Sequence, residues 1–178
     1  MILPIILYGN PILRKKCLDI NLNDFEKIKI NQLITNMFET MHKVKGIGLA
    51  APQIGKSIRL FIVETPFFTG TKLLYYKEVF LNAKVLKIYG KTYPFHEGCL
   101  SLPGIIEYVT RKSYVLIEYY DKNWKKQRKK FMGICARVIL HEYDHIEGKL
   151  FIDYFSDSKK KRIRNKFFSL KKKIVKNI

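Results

Sequence analysis

Residues 134–147 read ICARVILHEYDHIE, and this segment governs the architecture of the chain. Its apolar residues recur at helical spacing around most of the circumference, a pattern typical of a helix that is buried on most sides. Gly148 follows directly, and glycine is common just after the last turn of a helix. The segment therefore predicts a buried central helix that ends at Gly148. The apolar positions behind this prediction are Ile134, Val138, Ile139 and Ile146.

The same segment contains the pattern His-Glu-x-x-His, with histidines at 141 and 145. Residues four apart lie on one face of a helix, so His141 and His145 can bind one cation. Glu142 is turned by about 100° from His141, which suits a general base better than a third ligand. We therefore expect a catalytic divalent metal site here rather than two core histidines, because burying these polar groups without a purpose is costly.

A catalytic metal usually has three protein ligands and one open position. Downstream of the helix no familiar third ligand is present, since Phe151 stands where metzincin proteases have a histidine and no Glu follows Glu147. The third ligand is therefore expected upstream, where cysteines and histidines are the candidates. These are Cys17, His42, His96, Cys99 and Cys135.

We expect Cys99 to be the third ligand, with His96 as the second choice. Gly98 allows the backbone to approach an ion closely, and Pro103-Gly104 turn the chain away afterwards. The other candidates stand in a charged stretch, at the end of a long helix or on the wrong face of the central helix. A cysteine and two histidines would then form the site.

The residues before the central helix predict one helix and several strands. An amphipathic helix is expected from Asp24, as its N-cap, to Gly46, which stops it. Four segments rich in β-branched and aromatic residues predict strands, the last two joined as a hairpin through residues 121–123. The strands are residues 58–63, 79–89, 113–120 and 126–132. The apolar face of the helix consists of Phe25, Ile28, Leu33, Ile34, Met37, Phe38 and Met41.

The two ends of the chain complete the prediction. Residues 1–8 are apolar but interrupted by Pro4, which indicates an early buried strand or an extended segment rather than a signal peptide or membrane span. Asp157 is expected to cap a basic C-terminal helix over residues 157–176. We predict one catalytic domain, residues 1–178, of the α+β class, with antiparallel sheets packed around the central metal-binding helix. The apolar stripe of the last helix is Ile163, Phe167, Leu170 and Ile174.

The composition excludes several classes of protein. With 47% apolar and 28% charged residues, the chain is neither disordered, fibrous nor a multi-span membrane protein. Its 3 cysteines are odd in number and far apart, which favours a reducing compartment and a cytoplasmic protein. There are 34 basic and 15 acidic residues, a net charge of +19, of which residues 159–178 supply +10 and the remainder +9.

Two alternative functions follow from these features. The charge, with the basic run at residues 125–130, is compatible with an RNA-binding module. The His-Glu-x-x-His pattern is shared with zinc endopeptidases.

Three separated segments, taken together, resemble the peptide deformylases of the bacterial type. They are residues 46–53 (GIGLAAPQ), 97–101 (EGCLS) and 141–145 (HEYDH), and residues 9–14 (GNPILR) resemble the start of that family. The resemblance implies a metal-dependent hydrolase that removes the formyl group from the formylmethionine of newly made polypeptides and releases formate.

The resemblance also implies roles for individual residues. Cys99, His141 and His145 match the metal ligands and Glu142 the catalytic acid and base. Gln53 and the backbone N–H of Leu100 match the groups that stabilise the oxyanion. The substrate-binding residues it implies are Gly48, whose carbonyl contacts the substrate, and Ile47, Glu97, Val138 and His141 in the methionine pocket.

One thiolate and two imidazoles are compatible with Fe(II), Zn, Ni or Co, and the resemblance favours Fe(II). The partners it implies are N-formylmethionyl nascent peptides and the ribosome, contacted through the basic C-terminal helix; no membrane partner is expected. Next to the site, we expect Asp144 either to pair with Arg111 or to be solvated.

Overall fold

The computed structural model describes residues 1–21, 24–69 and 71–176. In these ranges five strands form one antiparallel sheet in the order of the sequence, and helices pack on both of its sides, so the predicted α+β class is confirmed. Three short 3-10 helices connect the larger elements. The elements are α1 (Asp24–Lys43), β1 (Gly48–Ala50), β2 (Leu60–Thr69), β3 (Lys72–Gly98), β4 (Ile106–Tyr120), β5 (Lys126–Met132), α2 (Gly133–Ile146) and α3 (Asp157–Lys176), with 3-10 helices at Pro11–Arg14, Ala51–Ile54 and Phe151–Tyr154.

The long strand β3 organises the sheet. Residues 72–81 pair with β2 and residues 81–98 pair with β4. The pairing with β4 contains three register shifts between Leu81 and Thr92. The sequence predicted a strand only over residues 79–89. The shift between Tyr89 and Thr92 interrupts the alternation of apolar and polar residues at the point where that prediction ends.

The other strand predictions fit to different degrees. The predicted strand at residues 126–132 coincides with β5, residues 113–120 form the C-terminal part of β4, and residues 58–63 overlap the beginning of β2, which continues to Thr69. The three-residue β1 was not predicted, because so short a segment has no readable period. The hairpin between β4 and β5 is confirmed, with Tyr120 opposite Lys126. Its turn is closed by the carboxylate of Asp121, which accepts hydrogen bonds from the backbone of Asn123 and Lys125 at 2.8 and 3.1 Å.

The central helix α2 packs against one face of the sheet, as predicted. Val138, Ile139 and Ile146 are buried in one cluster with side chains of β2, β3 and β4. Gly148 has φ 73°, and a Cβ at this position would lie 2.6 Å from the carbonyl oxygen of Arg14. Only glycine fits this end of the helix.

α1 covers the opposite face of the sheet at β1 to β3. The predicted face is wrong at Ile28, which is 72% exposed, while Ile30 is buried in its place. The helix ends at Lys43, and the left-handed residue after it is Lys45, with φ 56°, rather than Gly46. The side chains of Asp24 and Phe25, predicted as cap and core residues, lie outside the described part of the helix.

Two segments close the end of the molecule near the site. Residues 1–8 form an extended, half-buried segment and not a strand, and the N–H of Tyr8 donates to the carbonyl of Ser101 at 2.8 Å. In α3, Ile163 and Phe167 are buried, whereas the side chain of Ile174 lies outside the described residues.

The predicted cap of the last helix is wrong. Asp157 is already the first residue of α3, and its carboxylate is solvent-exposed and lies 3.3 Å from Lys160 Nζ. Ser156 therefore occupies the cap position. None of the described helices is long and apolar enough to cross a membrane.

Candidate active site

The three short motifs of the sequence meet in one place. The Cys99 Sγ, just after β3, lies 3.2 Å from Nε2 of His145 on α2. One donor atom each from Cys99, His141 and His145 lies within 4.8 Å of the others. The structure thus brings together the three residues that the sequence predicted as ligands.

The other four candidates for the third ligand are not part of this group of donor atoms, although His96 lines the adjoining cavity. The ring of His96 packs on Tyr108 with centroids 3.8 Å apart, and His42 pairs with Glu64 at 2.7 Å. Cys17 belongs to the apolar cluster beneath α2, and Cys135, in the first turn of α2, packs against that cluster. Cys99 is therefore the candidate that geometry supports.

This donor set fits a divalent ion. Thiolate and imidazole donors bind such ions at about 2.0–2.3 Å, and their mutual separations in the structure are compatible with one shared ion. Burial lowers the pKa of His145, so its imidazole stays neutral with a lone pair available. Burial opposes protonation of His141, but the Cys99 sulfur and the Glu97 carboxylate raise its pKa. The surroundings of His141 therefore favour a positive charge, and a cation bound between the three donor atoms would supply it.

Glu97 is the centre of a buried group of charges behind His141. Its carboxylate receives two hydrogen bonds from Arg111, at 2.7 and 2.9 Å, and one from Arg137 at 2.9 Å. It also lies 2.9 Å from Nδ1 of His141. Burial opposes ionisation of Glu97, but the hydrogen bonds from His141 and Arg111 lower its pKa to about 2. The ionised carboxylate thus fixes the ring of His141 with Nε2 directed at the site.

Asp144 extends this group. Arg111 Nη1 donates to Asp144 Oδ2 at 2.8 Å, and the hydroxyl of Tyr154 donates to the same oxygen at 3.0 Å. The predicted pair of Arg111 and Asp144 is confirmed. The alternative of a solvated Asp144 is wrong, because the residue is buried.

Glu142 is placed as an acid–base group. Its Oε2 has no hydrogen-bond partner among the described residues although the atom is buried. Burial raises the pKa of Glu142 to about 7, close to neutral pH, where a group can both accept and donate a proton. A Cβ on Gly48 would lie 2.5 Å from Glu142 Oε1, so only glycine leaves room for this carboxylate.

Gln53 is held in one orientation. Its Oε1 accepts a hydrogen bond from the N–H of Ala50 at 2.8 Å. Its Nε2 is consequently directed towards Cys99 Sγ, at 3.5 Å, and Ser101 Oγ, at 3.4 Å. The amide therefore presents a donor to the space beside the candidate ligands.

A cavity of about 370 Å³ opens over these groups. It is lined by every predicted catalytic and substrate-binding residue, namely Ile47, Gly48, Gln53, Glu97, Leu100, Val138 and Glu142. The sequence did not predict the additional apolar lining from Leu102, Ile105 and Ile134. Ile134 precedes Val138 by four residues on α2, and this spacing could have identified it.

Residues 2–161 match the family model described as polypeptide deformylase. The chain belongs to the peptide deformylase family. The deformylase of Karelsulcia muelleri is 56% identical over 153 residues, which cover 86% of this chain and 78% of that protein.

Solved deformylase structures agree with this assignment. The crystal structure from Ehrlichia chaffeensis superimposes with a TM-score of 0.89 at 27% identity, covering 98% and 99% of the two chains. A structure from Acinetobacter baumannii with bound Met-Ala-Ser has a TM-score of 0.80 at 29% identity, covering 87% and 99%.

This deformylase is therefore a metal-dependent hydrolase that removes the formyl group from the formylmethionine of newly made polypeptides. Neither a zinc endopeptidase nor a dedicated RNA-binding module is favoured by these relatives.

Proposed function

We propose that Cys99, His141 and His145 hold one divalent ion and that Glu142, Gln53 and Leu100 carry out deformylation beside it. The observation that carries the proposal is the convergence of the three donor atoms within 4.8 Å under a cavity that Glu142 also lines. When bound there, a divalent ion lowers the pKa of a coordinated water to about 7 and polarises the formyl carbonyl. We favour Fe(II) on family grounds, and Zn, Ni and Co suit the same donors.

Glu142 moves the proton. Its unpartnered Oε2 accepts a proton from the attacking water, and the same carboxyl then donates that proton to the nitrogen of the leaving amine. Without a metal ion the pKa of Glu142 is about 7, a range in which a carboxyl group can both accept and donate a proton. A bound cation nearby favours the carboxylate and thus the first step.

Gln53 and Leu100 stabilise the charge that develops on the formyl oxygen. The side-chain amide of Gln53, oriented by Ala50, and the backbone N–H of Leu100 would donate hydrogen bonds to it. Loss of one such donor typically costs about 10²–10³ in rate.

The methionine side chain occupies the apolar part of the cavity. Ile47 and Val138 would contact it, and Gly48 would offer its carbonyl to the peptide. The Met-Ala-Ser complex of the Acinetobacter baumannii relative supports such a binding mode. Glu97 lines the same cavity, but its carboxylate is already engaged by two arginines and His141. Its role is therefore to position His141 rather than to bind substrate.

The assignment is tested by purification without oxygen, elemental analysis and a formate assay. We expect about one transition-metal ion per chain, release of formate from formyl-Met-Ala-Ser, and no reaction with acetyl-Met-Ala-Ser. Glu142→Ala should retain the ion and lose formate release. Cleavage of unblocked casein by the wild type but not by Glu142→Ala would instead indicate an endopeptidase.

The cytoplasm and the ribosome are the proposed place of action, as the substrate requires. α3 buries Ile163 and Phe167, so its cations face solvent on the remaining sides, and a basic exposed helix is suited to ribosomal RNA. Deletion of residues 159–178 should then reduce co-sedimentation with ribosomes. Unchanged co-sedimentation would disprove the contact through α3.

A further inference from the structure

The side of the sheet that faces away from α2 carries a second basic surface. In β4, Val115 and Ile117 pack beneath α2, and the residues that alternate with them point to the other side. Their cross-strand partners in β3 and β5 share that side. We call this surface the outer sheet face; it consists of Lys84, Lys87 and Tyr89 in β3, Lys112, Tyr114, Leu116 and Glu118 in β4, and Lys126, Arg128, Lys130 and Met132 in β5.

The charge of the outer sheet face is almost entirely of one sign. It has 6 basic residues and a single acid, Glu118, which pairs with Lys126 at 3.0 Å. Lys84 lies 3.9 Å from Asp19 at the edge. An ordinary solvated surface intersperses both signs, so the excess indicates a polyanionic partner. Four of the cations have no acidic partner among the residues that the structure describes: Lys87, Lys112, Arg128 and Lys130.

Aromatic rings lie in the middle of these cations. Tyr89 and Tyr114 stack with centroids 5.3 Å apart and ring planes 13° apart. Lys87 Nζ lies 5.5 Å from the Tyr89 ring, and Lys130 Nζ lies 5.7 Å from the Tyr114 ring. A row of cation, ring, ring and cation therefore crosses three strands.

We propose that the outer sheet face binds single-stranded RNA. Aromatic rings on a sheet stack with unpaired bases regardless of sequence, and flanking cations contact the phosphates. A surface that binds any polyanion needs the cations alone. A membrane-binding surface needs many projecting apolar side chains, but the outer sheet face has more cations than apolar residues: Leu116 and Met132 belong to it, and Leu86 is exposed at the neighbouring bulge of β3. An enzyme whose substrate is a newly made polypeptide works beside RNA.

The outer sheet face is separate from the catalytic cavity and from α3. None of its residues lines the cavity. α3 is anchored in a different cluster, with Leu102, Ile105 and Phe151. α1 packs on the same side of the sheet only as far as Leu81 and Tyr120. RNA on the outer sheet face would therefore leave the active site open to peptide.

The test measures the fluorescence anisotropy of a labelled single-stranded RNA of about twelve nucleotides with the full-length, metal-loaded enzyme over a range of salt concentrations. The triple variant Lys87→Gln, Arg128→Gln, Lys130→Gln should weaken binding at least tenfold. It should also reduce the slope of log K against log salt by about 2, since each lost phosphate contact on a single strand contributes about 0.7.

A matched triple variant away from both basic surfaces controls for net charge. Lys15→Gln, Lys56→Gln and Lys149→Gln remove the same number of charges from exposed positions outside the outer sheet face and α3, and should change the affinity less than threefold. All variants should release formate from formyl-Met-Ala-Ser at the wild-type rate and retain the wild-type melting temperature.

The aromatic row has its own test. Tyr89→Leu with Tyr114→Leu should weaken RNA binding at least fivefold while leaving heparin binding unchanged, because heparin has charges but no bases. The proposal is overturned if both triple variants lose the same affinity for RNA, or if the tyrosine variant loses affinity for heparin and RNA alike. It is also overturned if single-stranded DNA binds tenfold more tightly than RNA, or if the protein binds anionic phosphatidylserine vesicles and not RNA.

Discussion

Substitution of Gly48 by alanine, which adds one methyl group, tests the geometry of the active site. A Cβ at this position would lie 2.5 Å from Glu142 Oε1, so Gly48→Ala must displace the carboxylate. Because general acid–base catalysis contributes about 10²–10⁴ in rate, we expect kcat/KM for formyl-Met-Ala-Ser to fall at least 100-fold. The metal content, measured by elemental analysis, should stay unchanged. An active Gly48→Ala enzyme would show that Glu142 does not act from the position described here.

Substitution of Glu97 by glutamine tests how much the buried group of charges behind His141 stabilises the fold. Glu97→Gln leaves Arg111 and Arg137 buried beside a neutral partner, and breaking a buried ion pair typically costs about 3–5 kcal/mol. Urea denaturation should therefore show a loss of this size in the free energy of unfolding.

Glu107→Gln is the matched control for this variant. Glu107 also pairs with a cation, Lys159 at 2.8 Å, but both side chains are partly exposed. An exposed pair contributes about 0–1 kcal/mol. Equal effects of the two substitutions would show that the charge group around Glu97 does not stabilise the fold.

Asp121, in the turn between β4 and β5, should make the stability of the fold depend on pH. Partial burial opposes ionisation of Asp121, but hydrogen bonds from the backbone of Lys125 and Asn123 lower its pKa. The ionised form therefore stabilises the fold above the unfolded pKa of about 3.9, and this contribution is lost as the pH falls through the folded pKa.

Asp121→Asn keeps an acceptor for the two amides and removes the charge. Its melting temperature should lie below that of the wild type at pH 7, and the difference should narrow towards pH 3. Lys122→Gln, in the same turn, should show no such narrowing. A constant difference for Asp121→Asn across this range would contradict the role of the carboxylate.

The elements show which parts of the fold can be predicted from sequence. α2 was predicted within one residue of its observed end because its apolar period is uninterrupted and Gly148 terminates it. β3 was not, since its register shifts interrupt the period of two on which strand prediction depends. The assignment of Ile28 to the core failed because the position of α1 on the sheet, a tertiary property, selects Ile30 instead.

The candidate site was more predictable than the fold. The residues that we propose as ligands and base lie in short motifs whose spacing reflects the chemistry, so Cys99, His141 and Glu142 could be chosen without coordinates, and the structure brings them together. The double engagement of Arg111 by Glu97 and Asp144 joins residues that are 14 and 33 positions from it in the chain. The sequence suggested the pair of Arg111 and Asp144 but not the contact of Arg111 with Glu97, because no local sequence pattern encodes contacts between residues so far apart in the chain.

For the whole molecule, metal removal should lower stability. A ligand present at 100 times its Kd stabilises the folded state by about 2.7 kcal/mol. Dialysis against a chelator should therefore lower the melting temperature, and reloading with Zn or Fe(II) should restore it. Cys99→Ser should show a much smaller shift, whereas Cys135→Ser, in the first turn of α2 and outside the group of donor atoms, should respond as the wild type does. A chelator effect of equal size in Cys99→Ser would contradict the assigned ligand set.

X-ray absorption at the metal edge tests the ligand set most directly. For the loaded enzyme we predict one sulfur neighbour at about 2.3 Å and two imidazole nitrogens at about 2.0–2.1 Å, with the sulfur lost in Cys99→Ser and retained in Cys135→Ser. A wild-type spectrum with only nitrogen and oxygen neighbours, or a sulfur that persists in Cys99→Ser, would contradict the account.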